Sequence, residues 1–120
     1  MIAKSEEKRL VVSDGVHEVV FALNDTPAAR GLAERLPLHL AVENYADNEK
    51  ICYLPAPLPK GGNCEADCPA GALAWFSPWN NLVFYYGPAP RYPGLYLLGQ
   101  AEEGATDISR LTGMLDLREG

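Results

Sequence analysis

Three cysteines are the first side chains in this sequence whose type and spacing could support chemistry. Cys64 and Cys68 form a C-x3-C pair in GGNCEADCPAG, and Cys52 lies upstream. A structural zinc site needs four ligands, so a fourth would have to come from His17, His39 or an acid. An iron–sulfur cluster would need a closely spaced C-x2-C-x2-C run, which is missing. Cys52 falls in an apolar run and reads as a small buried residue. The Cys64/Cys68 pair could form a disulfide, hold a metal loosely or be inert. The expectation is that it is no obligatory metal or cluster site, so no metal ligand and no cofactor is assigned. His17 and His39 form no close metal motif and follow no nucleophile signature. Ser13 and Ser77 lack a Gly-x-Ser-x-Gly elbow. Gly61-Gly62 is followed by no Gly-Lys-Ser/Thr, so it is not a phosphate loop. No catalytic residue is assigned.

Aromatic side chains are the better candidates for recognition. PAGALAWFSPWNNLVFYYG, from Pro69 to Gly87, places two apolar runs, Ala72–Phe76 and Leu82–Tyr86, around Ser-Pro-Trp-Asn-Asn. This reads as a hairpin, because adjacent Asn residues tolerate the left-handed backbone of a tight turn. Trp75 and Phe76 should point to opposite faces, as should Tyr85 and Tyr86. One set fills the core and pairs across strands. Trp79 sits in the turn itself, where burial is harder. It is expected to pack over a barrel opening and form one wall of the main cavity, with Tyr85 or Tyr53 nearby. Glu43, Tyr45 and Asn80 could supply polar groups to such a pocket. A homodimer contact through exposed aromatics is the other use of such a surface.

The elements that must position these residues are short. Asp14-Gly15 separates Lys8–Ser13 from Val16–Leu23, a strong hairpin signal. Asp25 or Thr26 can cap a helix with Pro27 in its first turn, running to Arg35 or Leu36. Ala28, Leu32 and Leu36 make one apolar stripe. Leu38–Tyr45 alternates as a strand, with Leu38, Leu40 and Val42 on one side. Lys50–Leu54, Leu95–Ala101 and Met114–Arg118 read as further strands, and Thr106–Leu111 as a short helix. Seven or more short strands with two helices suggest a closed or nearly closed antiparallel barrel, which removes exposed edges.

The 120 residues fit one domain, and 10 prolines with 11 glycines fit many turns. The formal charge of −6 argues against nucleic acid or an anionic membrane as partner. No apolar run reaches membrane-spanning length, and the first ten residues lack the apolar centre of a signal peptide. An odd count of three cysteines does not suit a secreted disulfide scaffold. A cytoplasmic location is expected.

LNDTPAARGLAERLPL, EKICYLP, PAGALAWFSPWNNLVFYYG and GLYLLGQ, in that order and spacing, resemble the small bacterial and archaeal cyclophilin-like domain proteins, a group mostly without assigned function. The resemblance covers about residues 10–118. It implies an eight-stranded antiparallel barrel with one or two short helices. It does not imply prolyl isomerase activity. True cyclophilins carry a Phe-His-Arg segment and a later Gln-Phe-Phe segment, and neither string occurs here. The expected function is a binding domain for a small molecule or extended peptide. A divergent isomerase and a self-associating module are the alternatives.

Overall fold

In a computed structural model, which describes residues 8–61 and 65–120, the chain forms one antiparallel sheet wrapped into a barrel. Its strands are β1 (Lys8–Ser13), β2 (Glu18–Leu23), β3 (Leu38–Ala41), β4 (Glu43–Tyr45), β5 (Glu49–Tyr53), β6 (Ala72–Phe76), β7 (Asn81–Tyr85), β8 (Leu95–Glu103) and β9 (Met114–Glu119). The pairing order is β3-β9-β1-β2-β8-β6-β7-β5-β4. The two terminal segments of that order, β3 and β4, are consecutive in the chain and separated only by Val42. Residues 38–45 therefore act as one bent strand. Its first half pairs with β9 and its second half with β5, which closes the barrel. Nine segments thus stand where the sequence resemblance implied eight strands, and the difference is the bend at Val42. The Val42 amide still donates to Gly113 O at 2.9 Å. Register shifts at Val20/Phe21 and Leu73/Ala74 bend the wall on either side of the long β8.

Alternation along each strand sorts side chains between two apolar clusters. The barrel interior holds Leu10, Val12, Phe21, Leu73, Trp75, Leu82, Phe84, Leu115 and Leu117, packed with Leu32 of the helix α1 (Pro27–Glu34). Each of these is essentially inaccessible to water. The helix begins where Thr26 Oγ1 accepts the Ala29 amide at 3.2 Å, so Thr26 rather than Asp25 is its cap. Asp25 instead pairs with Arg30 at 2.7 Å. Helix α1 ends at Glu34, two residues before Leu36, which still packs against the core. A 3-10 helix, Ala105–Arg110, buries Ile108 where a short helix was expected.

The second cluster lies on the outside of the wall formed by β5, β7, β6 and β8. It contains Ile51, Ala72, Ala74, Val83, Tyr85 and Leu95, with Phe76 and Leu97 partly buried against it. Two loop segments cover this outer face. Cys68 and Ala89 exchange backbone hydrogen bonds at 2.8 Å each, which joins residues 65–70 to residues 87–94. Asp67 Oδ1 accepts the Arg91 amide at 2.8 Å, and Glu65 Oε2 accepts the Gly94 amide at 2.9 Å. Gly94 has φ +86°, and a Cβ there would lie 2.9 Å from Pro78 Cδ. Only glycine lets the loop meet the β6–β7 turn so closely.

Candidate functional site

The β6–β7 hairpin sets the site. Trp75 pairs with Leu82 and Phe76 with Asn81, leaving a turn of Ser77, Pro78, Trp79 and Asn80. Asn80 takes the left-handed backbone (φ +54°), the role foreseen for one of the two asparagines. Its side chain turns to the barrel interior. Asn80 Oδ1 accepts the Trp75 indole N–H at 3.0 Å, and its Nδ2 donates to Leu54 O at 3.1 Å. Asn80 is therefore a fastener of the barrel end and lies outside the pocket lining.

Trp79 leaves the turn on the other side. It meets Tyr45 edge to face at 5.2 Å and Phe76 at 5.5 Å. Phe76 in turn contacts Tyr92 of the covering loop at 5.9 Å. The expected place over a barrel opening is thus corrected. Trp75 occupies the inward position of β6, so the alternation sends Phe76 outward, and Trp79 packs edge-on against it on the outer face.

These rings border a pocket of about 320 Å³. Its floor is Asn81, Val83 and Tyr85 from β7 with Leu95 from β8. Tyr45 of β4 and Glu49 of β5 stand at one side, directly opposite each other in the sheet register. Ala89, Pro90 and Tyr92 of the covering loop close the other side. Of the residues expected at a site, Trp79, Tyr85 and Tyr45 line this pocket. Tyr53, Glu43 and Asn80 do not. Tyr53 is the Cα partner of Asn81 and stays on the surface, 47% exposed. Glu43 is exposed two residues before Tyr45.

Two polar lining residues had no place in the sequence reading. Glu49 falls one residue before the strand that the sequence predicts over Lys50–Leu54, so the pattern does not single it out. The short turn after Tyr45, which makes Glu49 its cross-strand partner, was the signal that could have found it. Burial raises the Glu49 carboxyl above the ordinary value. The sequence pattern places Asn81 with Asn80 in the turn. It is instead the first residue of β7 and is 1% exposed, and its buried Oδ1 accepts no hydrogen bond from the described residues. Buried polar atoms are nearly always paired, so an orphan at a pocket wall marks a place where a ligand donor would be stabilising. Tyr85 is 4% exposed, and burial pushes its phenol well above the ordinary value, with the charges of Glu49 and Cys68 adding to it.

The cysteines stand apart from this arrangement. Cys52 belongs to the interior cluster and Cys68 to the outer one, so the barrel wall separates them. Burial, then the charge of Glu43, raises the Cys52 thiol to about 12. Burial, then Asp67 and Glu49, raises Cys68 to about 11. Cys64 lies outside the described residues. His17 Nδ1 lies 3.0 Å from Asp14 in the first hairpin, and His39 pairs with Asp116 on the surface.

Comparison with known proteins agrees with this architecture. No curated protein matches the chain. The solution structure of the hypothetical protein AF2241 from Archaeoglobus fulgidus superposes with a TM-score of 0.76 over 95% of each chain, at 16% identity. At that identity the likeness shows the fold. The model of the cyclophilin-like family matches residues 12–118. With a closed antiparallel barrel and nearly the whole chain matched, the protein belongs to the cyclophilin-like family.

Proposed function

We propose that the protein is a binding domain that takes a small molecule or an extended peptide segment in the outer-face pocket, without prolyl isomerase activity. The observation that carries this reading is the Asn81 amide, buried at the pocket wall with an unpaired Oδ1. Around it, an apolar floor and aromatic sides supply contact area, and a few polar groups supply orientation. That combination is the usual form of a small-ligand site. Cyclophilin-type isomerisation needs a positioned arginine against the twisted amide. No arginine is among the lining residues, and Arg91 on the covering loop has its Nε 3.6 Å from Asp67.

A fragment and proline-peptide screen followed by NMR tests the reading. Hits should shift the Trp79 indole and Asn81 side-chain amide signals. Hits that map elsewhere, or none at all, would remove it. In a proline-peptide isomerisation assay the rate should stay at the uncatalysed level. A kcat/KM near that of a true cyclophilin, abolished by one arginine substitution, would show that the chain is an isomerase. The exposed rings of Tyr45, Trp79 and Tyr92 favour one second reading, self-association through the pocket rim. Sedimentation of the wild-type protein and Trp79→Ala decides between them, since only self-association predicts a dimer that the substitution dissolves.

A further inference from the structure

The pocket lining carries charge of one sign. Glu49 is acidic, and among the described residues no lysine, arginine or histidine lines the pocket. Lys50 is adjacent in sequence, but the alternation of β5 places it on the same side as Cys52, facing the interior. Arg91 at the rim lies beside Asp67. Glu49 is thus a partly buried acid with no basic lining residue among the described residues to offset its charge, and burial raises its carboxyl. A cation bound beside it would reverse that shift.

The rings add a second attraction of the same sign. Trp79 is set nearly perpendicular to both Tyr45 (84°) and Phe76 (79°), so the rings that line the pocket lie in more than one plane. Aromatic faces attract cations, most strongly where water is partly excluded. The orphan Oδ1 of Asn81 needs a donor, and a half-turn of the amide about its Cβ–Cγ bond exchanges the positions of Oδ1 and Nδ2. A carboxylate, an unpaired carbonyl oxygen and ring faces all call for N–H groups bearing positive charge.

We infer that the pocket binds a small organic cation, a protonated amine or guanidinium head on a short apolar stem. Glu49 is its counter-charge, Tyr45, Phe76 and Trp79 are its walls, and Asn81 accepts from its N–H. The stem lies on Val83 and Leu95. This inference rests on the reading of the pocket as a ligand site and adds the ligand's chemical class. The same head could arrive as a free amine or as a lysine side chain of an extended peptide.

Benzylammonium and benzyl alcohol, a pair of similar shape differing in charge, test it by titration with NMR detection. Benzylammonium should shift the Trp79 indole and Asn81 amide signals and bind about tenfold tighter than the alcohol, the gain expected for a charge-assisted contact. Glu49→Gln should abolish that difference and leave alcohol binding unchanged. Tyr45→Leu, which keeps an apolar rim, should weaken only the cation and supplies the answer if Glu49→Gln does not fold. Binding of acetyl-Gly-Lys-Gly-amide as tight as benzylammonium would name a peptide side chain as the source, and its failure a free amine. Equal binding of amine and alcohol at these signals overturns the cation inference while the ligand pocket stands. Cation binding without these shifts overturns it too. Failure of both probes overturns it, and the pocket reading then falls only if the fragment and peptide screen is also empty.

Discussion

Trp79→Ala should weaken binding more than it destabilises the fold. Trp79 is 46% exposed, so about half of its surface is withdrawn from water against Tyr45, Phe76 and the pocket floor. Truncating a fully buried tryptophan costs roughly 3–5 kcal/mol. Half that burial, in an outer cluster that solvent can refill, gives a loss of about 1.5–2 kcal/mol. With a typical urea dependence for a domain of this size, the midpoint should move by about 1 M. Loss of an aromatic anchor from a binding site commonly costs about 2 kcal/mol or more, or roughly 30-fold in affinity. The control is Trp75→Ala. Trp75 is fully buried and its indole donates to Asn80, so it should lose about 3–5 kcal/mol of stability or more. Urea unfolding and benzylammonium titration on the same samples separate the two effects. A stability loss for Trp79→Ala as large as that for Trp75→Ala, with unchanged affinity, would refute the assignment and make Trp79 an ordinary packing residue.

Asn80→Ala should cost about 2–3 kcal/mol in chemical denaturation, because it removes the acceptor of Trp75, the donor to Leu54 O and a residue suited to positive φ. Asn80→Gly, which restores the backbone freedom alone, should recover part of that loss. Asp14 accepts the amides of Val16, His17 and Thr112 and the His17 ring. Burial opposes its charge, but those bonds outweigh it and hold the carboxyl well below the usual range. Its stabilising contribution is therefore complete above the unfolded carboxylate range near pH 4 and is lost progressively as pH falls below it. Unfolding followed from pH 6 to pH 2 should show this decline, and Asp14→Asn should flatten it. Cys52 and Cys68, raised to about 12 and about 11, should react with a thiol reagent at pH 8 only after denaturation, as read by peptide mapping. Rapid labelling of Cys68 in the native protein would contradict its burial.

Sequence alone determined the fold through local signals that tertiary contacts did not override. Asp14-Gly15, Thr26-Pro27 and the alternation of Ala72–Phe76 each fix a backbone choice within a few residues, so the hairpin, the helix start and the opposite facing of Trp75 and Phe76 were legible, while which of the two faces inward was not. The family segments extended those pieces to a barrel. What sequence could not decide was which side of the wall offers a pocket. Both faces of β6 and β7 are apolar, and β7 is buried throughout. Only the joining of residues 65–70 to 87–94 through Cys68 and Ala89 shows that the outer face is covered and hollow. Register decided the rest. One residue separates Asn80, held inside by Trp75, from Asn81, left without a partner at the pocket wall. Glu43 shares a strand face with Tyr45 but stands two residues further along the ladder, opposite Ile51, so Glu49, opposite Tyr45, is the acid in the pocket.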